Sequence, residues 1–598
     1  MRSKLSGMTP SHRARDGVGP GFPERLHALW RAARGYFKSA MSIFFLDSGS
    51  LESVLRLLFI FLLKVIFQSF SNLCGYVERV AYATKRTIDF GQPTSLSHPE
   101  LVGEDEITPG IATDEYISRR KRLLELLPEK SLAIIASAPV KMMTDVVPYP
   151  FRQDADFLYI TGCLQPGGIA VLSEECGLCM FMPDPDPHDA VWQGQVAGVE
   201  AALEFFKADK AFPLSVMHKI LPQMMRQASR LFHNVKTASP SYTEMEPFYK
   251  ASFNNKVKDL STYTHELQWI KSASELKLMR TSASIACQSL LQTMLLSRIF
   301  PEESKLSAKV EYECKMRGAQ RMAFNPVVGG GVNGSIIHYS RNDQKIRAGD
   351  LVLMDVGCEF HGYLSDLTRT WPPCGSFSPA QLFNFLLSDS VSALSLNLRT
   401  VELPKCGSKF AQVQGCGSVT AEECSCTSNK FYDSEEILYS LILETNKECL
   451  KLCRPGISLQ QIHNYSVKML RRGLKDIGVL NDEASYLYHQ LNPTSIGHYL
   501  GMDIHDCAMI NNDRPLEPGV VITIEPGVYI PSSYDGPERF DLKYGGVGIR
   551  IEDEVLITET GHEVLTGSMP KEIQHIKSLL NYTHSEASEA SDLRTAFN

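Results

Sequence analysis

What this chain lacks narrows its class before any motif is read. Its 598 residues hold no apolar stretch of membrane-spanning length. In the most apolar segment, VLRLLFIFLLKVIF at 54–67, the unbroken run is only Leu57 to Leu63, bracketed by Arg56 and Lys64. A crossing helix needs about 20 mostly apolar residues, and a charge inside it is costly. The segment therefore reads as interfacial or cleaved. Neither sign of charge dominates: 60 Lys+Arg face 68 Asp+Glu, a net charge of -8. Without a concentrated basic face, nucleic acid is excluded as a partner. There is no cysteine framework either. Fifteen cysteines are scattered, and an odd number cannot all pair, so reduced thiols in an intracellular compartment are expected. Cys406, Cys416, Cys424 and Cys426 lack the two close pairs that structural zinc requires.

What is present is length and uneven texture. A chain this long divides into two to four domains. Residues 1–45 hold eight basic side chains against two acids, Asp16 and Glu24, the signature of an organellar transit peptide. Residues 1–90 read as a targeting or variable segment, with a cleavage region around 79–84. From about 105 the pattern becomes mixed α/β. EYISRRKRLLELL (115–127) is helical in period, while SLAIIAS (131–137), DFLYITG (156–162) and GIAVLS (168–173) read as buried strands. These form one domain over 105–260.

A second domain over 266–571 opens with the capping box Ser272–Glu275. After it, Leu276, Met279, Ala283, Ala286, Cys287, Leu290 and Met294 share a helical face. Asp350–Gly357 and Tyr363–Trp371 are predicted as a hairpin joined through 358–362. VVITIEPGVYI (520–530) and VGIRIEDEVLIT (547–558) form a second strand pair. A Ser- and Cys-rich insertion at 382–434 interrupts the helical pattern, and the tail 572–598 ends in disorder-prone composition.

Five residues in these strand contexts suit metal chemistry: Asp355 in LVLMDVG, Asp366 in YLSDLTRTW, His498 in SIGHYLGMDIHD, Glu525 in ITIEPG and Glu552 in GIRIEDE. Two adjacent cations need several carboxylates to neutralise and bridge them, and one imidazole can complete the set. Alone, each residue would be an ordinary turn cap or solvated acid. Two other motifs carry no function. Gly329, Gly331 and Gly334 spell G-x-G-x-x-G, but the following SIIHY is strand-like, so no helix N-terminus is there to hold a pyrophosphate. The pair Cys176 and Cys179 leads into MFMP rather than a redox helix.

Together the series MDVG, SDLTRTW, GHYLGMDIHD, ITIEPG and RIED resembles the "pita-bread" metallopeptidases. YPFRQDADFLYITG (149–162) is similar to the N-terminal domain of their Xaa-Pro aminopeptidase branch. GQPTSLSHPELVGEDEITPG (91–110) and FNPVVGGG (324–331) resemble its mitochondrial subgroup in particular. The resemblance implies a mixed α/β N-terminal domain followed by a curved antiparallel catalytic sheet. It implies two divalent ions held by Asp355, Asp366, His498, Glu525 and Glu552, with Asp366 and Glu552 bridging. Glu525 would also shuttle protons, His338 would stabilise the reacting centre, His505 would contact the substrate carbonyl, and Arg550 would orient the carboxylates. Oxygen-rich ligation favours Mn²⁺ over zinc, although the affinity order runs the other way. Thr494 stands where some relatives carry a further histidine, which loosens an Xaa-Pro preference. The implied activity is an aminopeptidase of the mitochondrial matrix acting on peptide or precursor N-termini. A proline dipeptidase and a catalytically inactive binding module are the alternatives.

Overall fold

The chain divides into two units, residues 1–104 and 105–598. The computed structural model describes residues 90–375, 433–533 and 544–581. The expected transit segment, the apolar stretch 54–67, nearly all of the 382–434 insertion with its four cysteines, and the tail beyond 581 lie outside the described residues. Among those described, no helix is long and apolar enough to cross a membrane.

The second unit opens with a six-stranded mixed sheet. Its strands run in the order Lys210–Pro213, Gly177–Met182, Ile169–Ser173, Ser131–Ala136, Arg230–His233 and Val257–Asp259. The two central apolar runs pair antiparallel and are buried on both faces, as their near-continuous hydrophobicity requires. One sequence expectation fails here. DFLYITG is not a strand but the tail of a helix, Ala155–Thr161. Its aromatic and β-branched residues favour a strand, yet the ends decide the matter. The Asp154 side chain accepts from Phe157 N at 2.9 Å, and Gly162 closes the helix in the left-handed region. Cys176 and Cys179 are both buried, and burial pushes the Cys179 thiol up to about 12. That is the reverse of what a redox pair needs.

Downstream, the capping box forms as read. Ser272 Oγ accepts from Glu275 N and Glu275 Oε2 accepts from Ser272 N, starting the helix Ala273–Leu296. Its inner face includes Leu278 and omits the half-buried Leu276. The predicted hairpin also forms, in one unbroken register. Val352–Val356 pairs with Leu367–Trp371, and Cys358–Phe360 continues onto Tyr363–Leu364. The turn is therefore shorter than the 358–362 link: only His361 and Gly362 make it, both with positive φ, the geometry of a two-residue type I′ turn. In the second hairpin, Val521–Ile524 pairs with Asp553–Ile557 and Gly527–Ile530 pairs with Val547–Arg550. After the glycine triplet the chain makes a 3-10 turn, Gly331–Ser335. SIIHY is thus neither strand nor helix. A Cβ on Gly329 would lie 2.7 Å from Gly334 N, so those glycines serve close backbone packing.

Each hairpin is two-faced, because side chains alternate along a strand. Met354, Val356, Leu367, Trp371, Val528, Ile549 and Ile551 enter the main core. The two hairpins join edge to edge, where Glu552 N donates to Thr368 O at 3.1 Å. Behind that junction lies a cross-brace in which Arg369 and Asp553 are fully buried and Lys571 is partly exposed. Asp553 Oδ1 takes Arg369 Nη2 at 2.7 Å and Asp553 Oδ2 takes Lys571 Nζ at 2.6 Å. Lys571 reaches on to Asn446, whose amide donates to Ile524 O and Ile551 O. The two cations hold the Asp553 carboxyl down at about 2 against the opposing effect of burial. A group depressed in this way contributes stability above its unfolded pKa, and that contribution is lost as pH falls from about 4 toward 2. Asp553→Ala leaves Arg369 buried without its partner and is expected to cost roughly 3–5 kcal/mol in chemical denaturation. A loss below about 1 kcal/mol, the scale of an exposed pair, would contradict the bracing role.

Candidate metal centre

The register of the first hairpin places its two aspartates on one face. Asp355 lies opposite Thr368, and the same register sets Asp366 opposite Gly357. Asp355, Gly357, Asp366 and Thr368 thus share one side of the ladder. Gly357 suits its place: a Cβ there would lie 1.9 Å from Ser365 O. In the second hairpin, Glu525 and Glu552 face each other between the paired Ile524–Asp553 and Gly527–Arg550. Glu525 and Pro526 interrupt the ladder there without shifting its register. Arg550, Glu552 and Glu554 fall on the same face by period-two alternation. Joining the hairpins through Thr368 and Glu552 brings the two acidic faces together.

His498 arrives from a separate loop. Its backbone N donates to Thr523 Oγ1 at 3.1 Å, and its Nδ1 lies 3.0 Å from Tyr499 O. That contact leaves Nε2 aimed at the carboxylates, 3.3 Å from Asp366 Oδ2 and 3.7 Å from Glu525 Oε1. Gly497 packs against the Thr523 backbone so closely that a Cβ would lie 1.9 Å from its carbonyl oxygen. Ligand atoms of Asp366, His498 and Glu552 lie within 4.8 Å of one another. Asp355 stands outside that tight trio. Its Oδ2 accepts from Arg550 Nη2 at 2.5 Å, while its buried Oδ1 has no hydrogen-bond partner.

Arg550 is wholly buried and spans the site. Besides Asp355, it donates from Nε to Thr368 Oγ1 at 2.9 Å and from Nη1 to Tyr529 Oη at 2.7 Å. Thr368 Oγ1 in turn donates to Glu552 Oε2 at 2.7 Å. Thr368, Tyr529 and Glu554 are site residues that motif reading missed. Glu554 Oε1 accepts from Asp366 N at 2.9 Å, fixing the backbone beside that aspartate. The alternation Asp366–Thr368 and Arg550–Glu552–Glu554 could have pointed to two of them. Tyr529 carries no such signal, since its reach to Arg550 exists only in the fold.

His505 stacks edge-on against His498, with ring centroids 4.5 Å apart. Burial lowers its pKa, and His498 and His338 lower it further. His338 lies on an exposed loop on that side of the site. Thr494 is half-buried, four residues before His498.

Burial, and then crowding, sets the electrostatics. Asp366 and Glu552 are raised well above ordinary carboxyl values, first by burial and then by neighbouring acids. Glu525 is raised by burial and by Asp355, against the opposing pull of His498 and Arg550. A set of buried acids with a single guanidinium, plus an orphaned carboxylate oxygen, is chemically suited to cations. The residues therefore fit a divalent ion. Carboxyls raised on folding stabilise the protein below their unfolded pKa, and that stability is lost as pH rises through the folded values. A metal must displace those protons to bind. Added Mn²⁺ is accordingly expected to raise the melting temperature of chelator-treated protein more at pH 7.5 than at pH 5.5. Equal shifts at the two pH values, or none, would count against a carboxylate-built centre.

Comparison with known proteins agrees with this geometry. Residues 116–232 match the aminopeptidase P N-terminal domain, and residues 277–396 and 415–559 match metallopeptidase family M24. The chain is 59% identical over 505 residues to the mitochondrial intermediate cleaving peptidase 55 of Arabidopsis thaliana, spanning 84% of this chain and 90% of that protein. It is 32% identical over 519 residues to the Xaa-Pro aminopeptidase 3 of Rattus norvegicus, spanning 82% and 91%. Among solved structures, Pseudomonas aeruginosa aminopeptidase PepP superposes with a TM-score of 0.65 at 30% identity, over 79% of this chain and 99% of that one. E. coli aminopeptidase P does so with the same score at 28% identity, again over 79% and 99%. With its carboxylate-rich site built on two antiparallel hairpins behind an aminopeptidase P-type N-terminal sheet, this chain belongs to metallopeptidase family M24 and is an aminopeptidase-type hydrolase.

Proposed function

We propose that the enzyme removes one residue from the N-termini of peptides or imported precursor proteins in the mitochondrial matrix, using two divalent ions. Asp355, Asp366, His498, Glu525 and Glu552 hold the pair, with Mn²⁺ favoured by the oxygen-rich donor set. The observation that carries this reading is the meeting of Asp366, Glu552 and Glu525 with His498 Nε2, with Asp355 on the same hairpin face. The mitochondrial setting is supported by the Arabidopsis relative and by the Arg-rich opening. Residues 105–260 and 266–571 serve as the N-terminal and catalytic domains in this reading.

The chemistry that such cations supply when bound is a water made nucleophilic near neutral pH and neutralisation of charge growing on the carbonyl oxygen. The chain's own groups do the rest. Glu525, with its raised pKa, suits taking a proton at its carboxylate and returning it to the departing amine. His505, held neutral at working pH, offers a ring N–H to the substrate carbonyl. His338 flanks it at the open side. Arg550 keeps Asp355 turned toward the centre, with Thr368 doing the same for Glu552.

Asp366→Ala is expected to reduce peptidase activity to below about a few per cent, the scale of losing a metal-binding group, with circular dichroism unchanged. Substantial residual activity in a folded variant would remove Asp366 from the site. A Mn²⁺-supplemented assay on peptides varied at positions one and two is expected to show release of single residues, with tolerance beyond proline at position two because of Thr494. Cleavage confined to dipeptides would identify a proline dipeptidase, and absence of bound divalent metal would identify a binding module.

A further inference from the structure

The chain from Tyr499 to Ile504 links His498 to His505 and, beyond the single bridge Tyr499–Ile522, contains no helix or strand. Something other than a ladder must fix its shape. Two cations from the N-terminal half of the chain meet it from different sides. Arg152 follows the Tyr149–Phe151 segment of the N-terminal motif. Its Nε donates to Glu359 Oε2 at 2.8 Å, its Nη1 to Asp503 Oδ1 at 3.1 Å, and its Nη2 to the Met502 carbonyl. Glu359 belongs to the first hairpin, on the stretch between Asp355 and Asp366. It is held there by Arg321 as well, at 2.6 Å. One guanidinium thus touches both the hairpin that carries two aspartates and the loop that carries two histidines.

Lys271 supports the same loop from beneath. Its Nζ lies 3.0 Å from Asp506 Oδ2, and the two side chains are 1% and 2% exposed. Asp506 is the residue next to His505. Gly501 crosses directly over this carboxylate, where a Cβ would lie 2.3 Å from Asp506 Oδ2. A further tie runs backbone to backbone, from Leu364 N to Gly501 O at 2.9 Å. Asp506 cannot move without leaving a buried ammonium unpaired, and His505 cannot move far without Asp506.

We propose that Arg152 and Lys271 are positioning residues that clamp the Gly501–Asp506 loop against the first hairpin and so hold His505 edge-on to His498 for catalysis. The proposal rests on the role given to His505 above. It also gives the N-terminal domain a part in the reaction: the segment between the strand Ser131–Ala136 and the helix Ala155–Thr161 supplies Arg152, one half of the clamp. Lysine at 152 would keep the charge but lose the fork that spans Glu359, Asp503 and the Met502 carbonyl together.

Lys271 is too deeply buried for a clean substitution, whereas the Arg152 side chain is 35% exposed. The test is a double-mutant cycle on the Mn²⁺-loaded enzyme, using a tripeptide that the wild type cleaves. Wild type, Arg152→Ala, Arg152→Lys, His505→Ala and Arg152→Ala/His505→Ala are compared for kcat, KM, bound metal and melting temperature. Arg152→Ala is expected to lower kcat roughly 10- to 100-fold, as loss of a group that orients catalytic residues does, with KM and metal content nearly unchanged. Arg152→Lys should fall between it and wild type. In the His505→Ala background, removing Arg152 should change kcat by less than about two-fold, because the two act through one element. Losses that multiply instead, or an Arg152→Ala enzyme altered only in melting temperature, would overturn the clamp while leaving His505 in place. Wild-type kcat in His505→Ala would overturn the role of His505 and the clamp with it.

Discussion

Four carboxylates sharing one buried face repel one another, and every other feature of the catalytic half can be traced to managing that repulsion. Asp355, Asp366, Glu525 and Glu552 are brought together by the registers of two hairpins, against the electrostatic preference of acids to stay apart. Among the described residues Arg550 is the one guanidinium set amid these acids, and it is tied to Asp355, Thr368 and Tyr529 rather than left to swing. Its single charge does not balance the set. The raised pKa values of Asp366, Glu525 and Glu552 express burial first and that unbalanced charge second. A centre of this kind is stable as protonated acid or as metal complex, and proton affinity and metal affinity therefore oppose each other.

Holding such a face together requires stiffness behind it. The reverse sides of both hairpins are aliphatic and enter the main core, and burial of that surface is what orders the strands. Between the apolar residues lies the Asp553–Arg369–Lys571 brace, its Asp553–Arg369 pair wholly buried and Lys571 at its partly exposed end. Asp553 and Glu552 are neighbours in sequence and point to opposite sides. One is held ionised by cations behind the sheet, while the other is pushed toward protonation by anions in front. Strand alternation separates two acids with opposite electrostatic fates by a single residue.

The N-terminal half of the chain also contributes to this end. Arg152 and Lys271 both contact the His498–His505 loop, and Arg119 donates to Tyr363 Oη in the first hairpin at 3.2 Å. Polar side chains from the N-terminal half thus reach the elements on which the site is mounted. Such contacts transmit position more than stability, since charges at these depths repay much of their attraction as desolvation.

The candidate ligand types, their order and their strand contexts were legible in the chain because alternation and turn chemistry are local. The offset of 11 residues lets Asp355 and Asp366 share a face on a tight hairpin, and the two-residue turn at His361–Gly362, shorter than the 358–362 link read from the chain, fixes that register. The capping box at Ser272 was readable for the same cause. What local rules misjudged was 156–162, where β-favouring residues form a helix because Asp154 and Gly162 cap it and its surroundings bury every side chain. Nor could local rules show Tyr529 against Arg550, Glu554 beneath Asp366, or Arg152 on Glu359 and Asp503. Those contacts join residues from 21 to 351 positions apart, and no periodicity encodes a distance of that kind. The sequence by itself determined which groups could bind metal and on which face of each hairpin they stand. Only the tertiary structure decided that the two faces meet, because edge-to-edge packing of separate hairpins depends on the shape of the whole core.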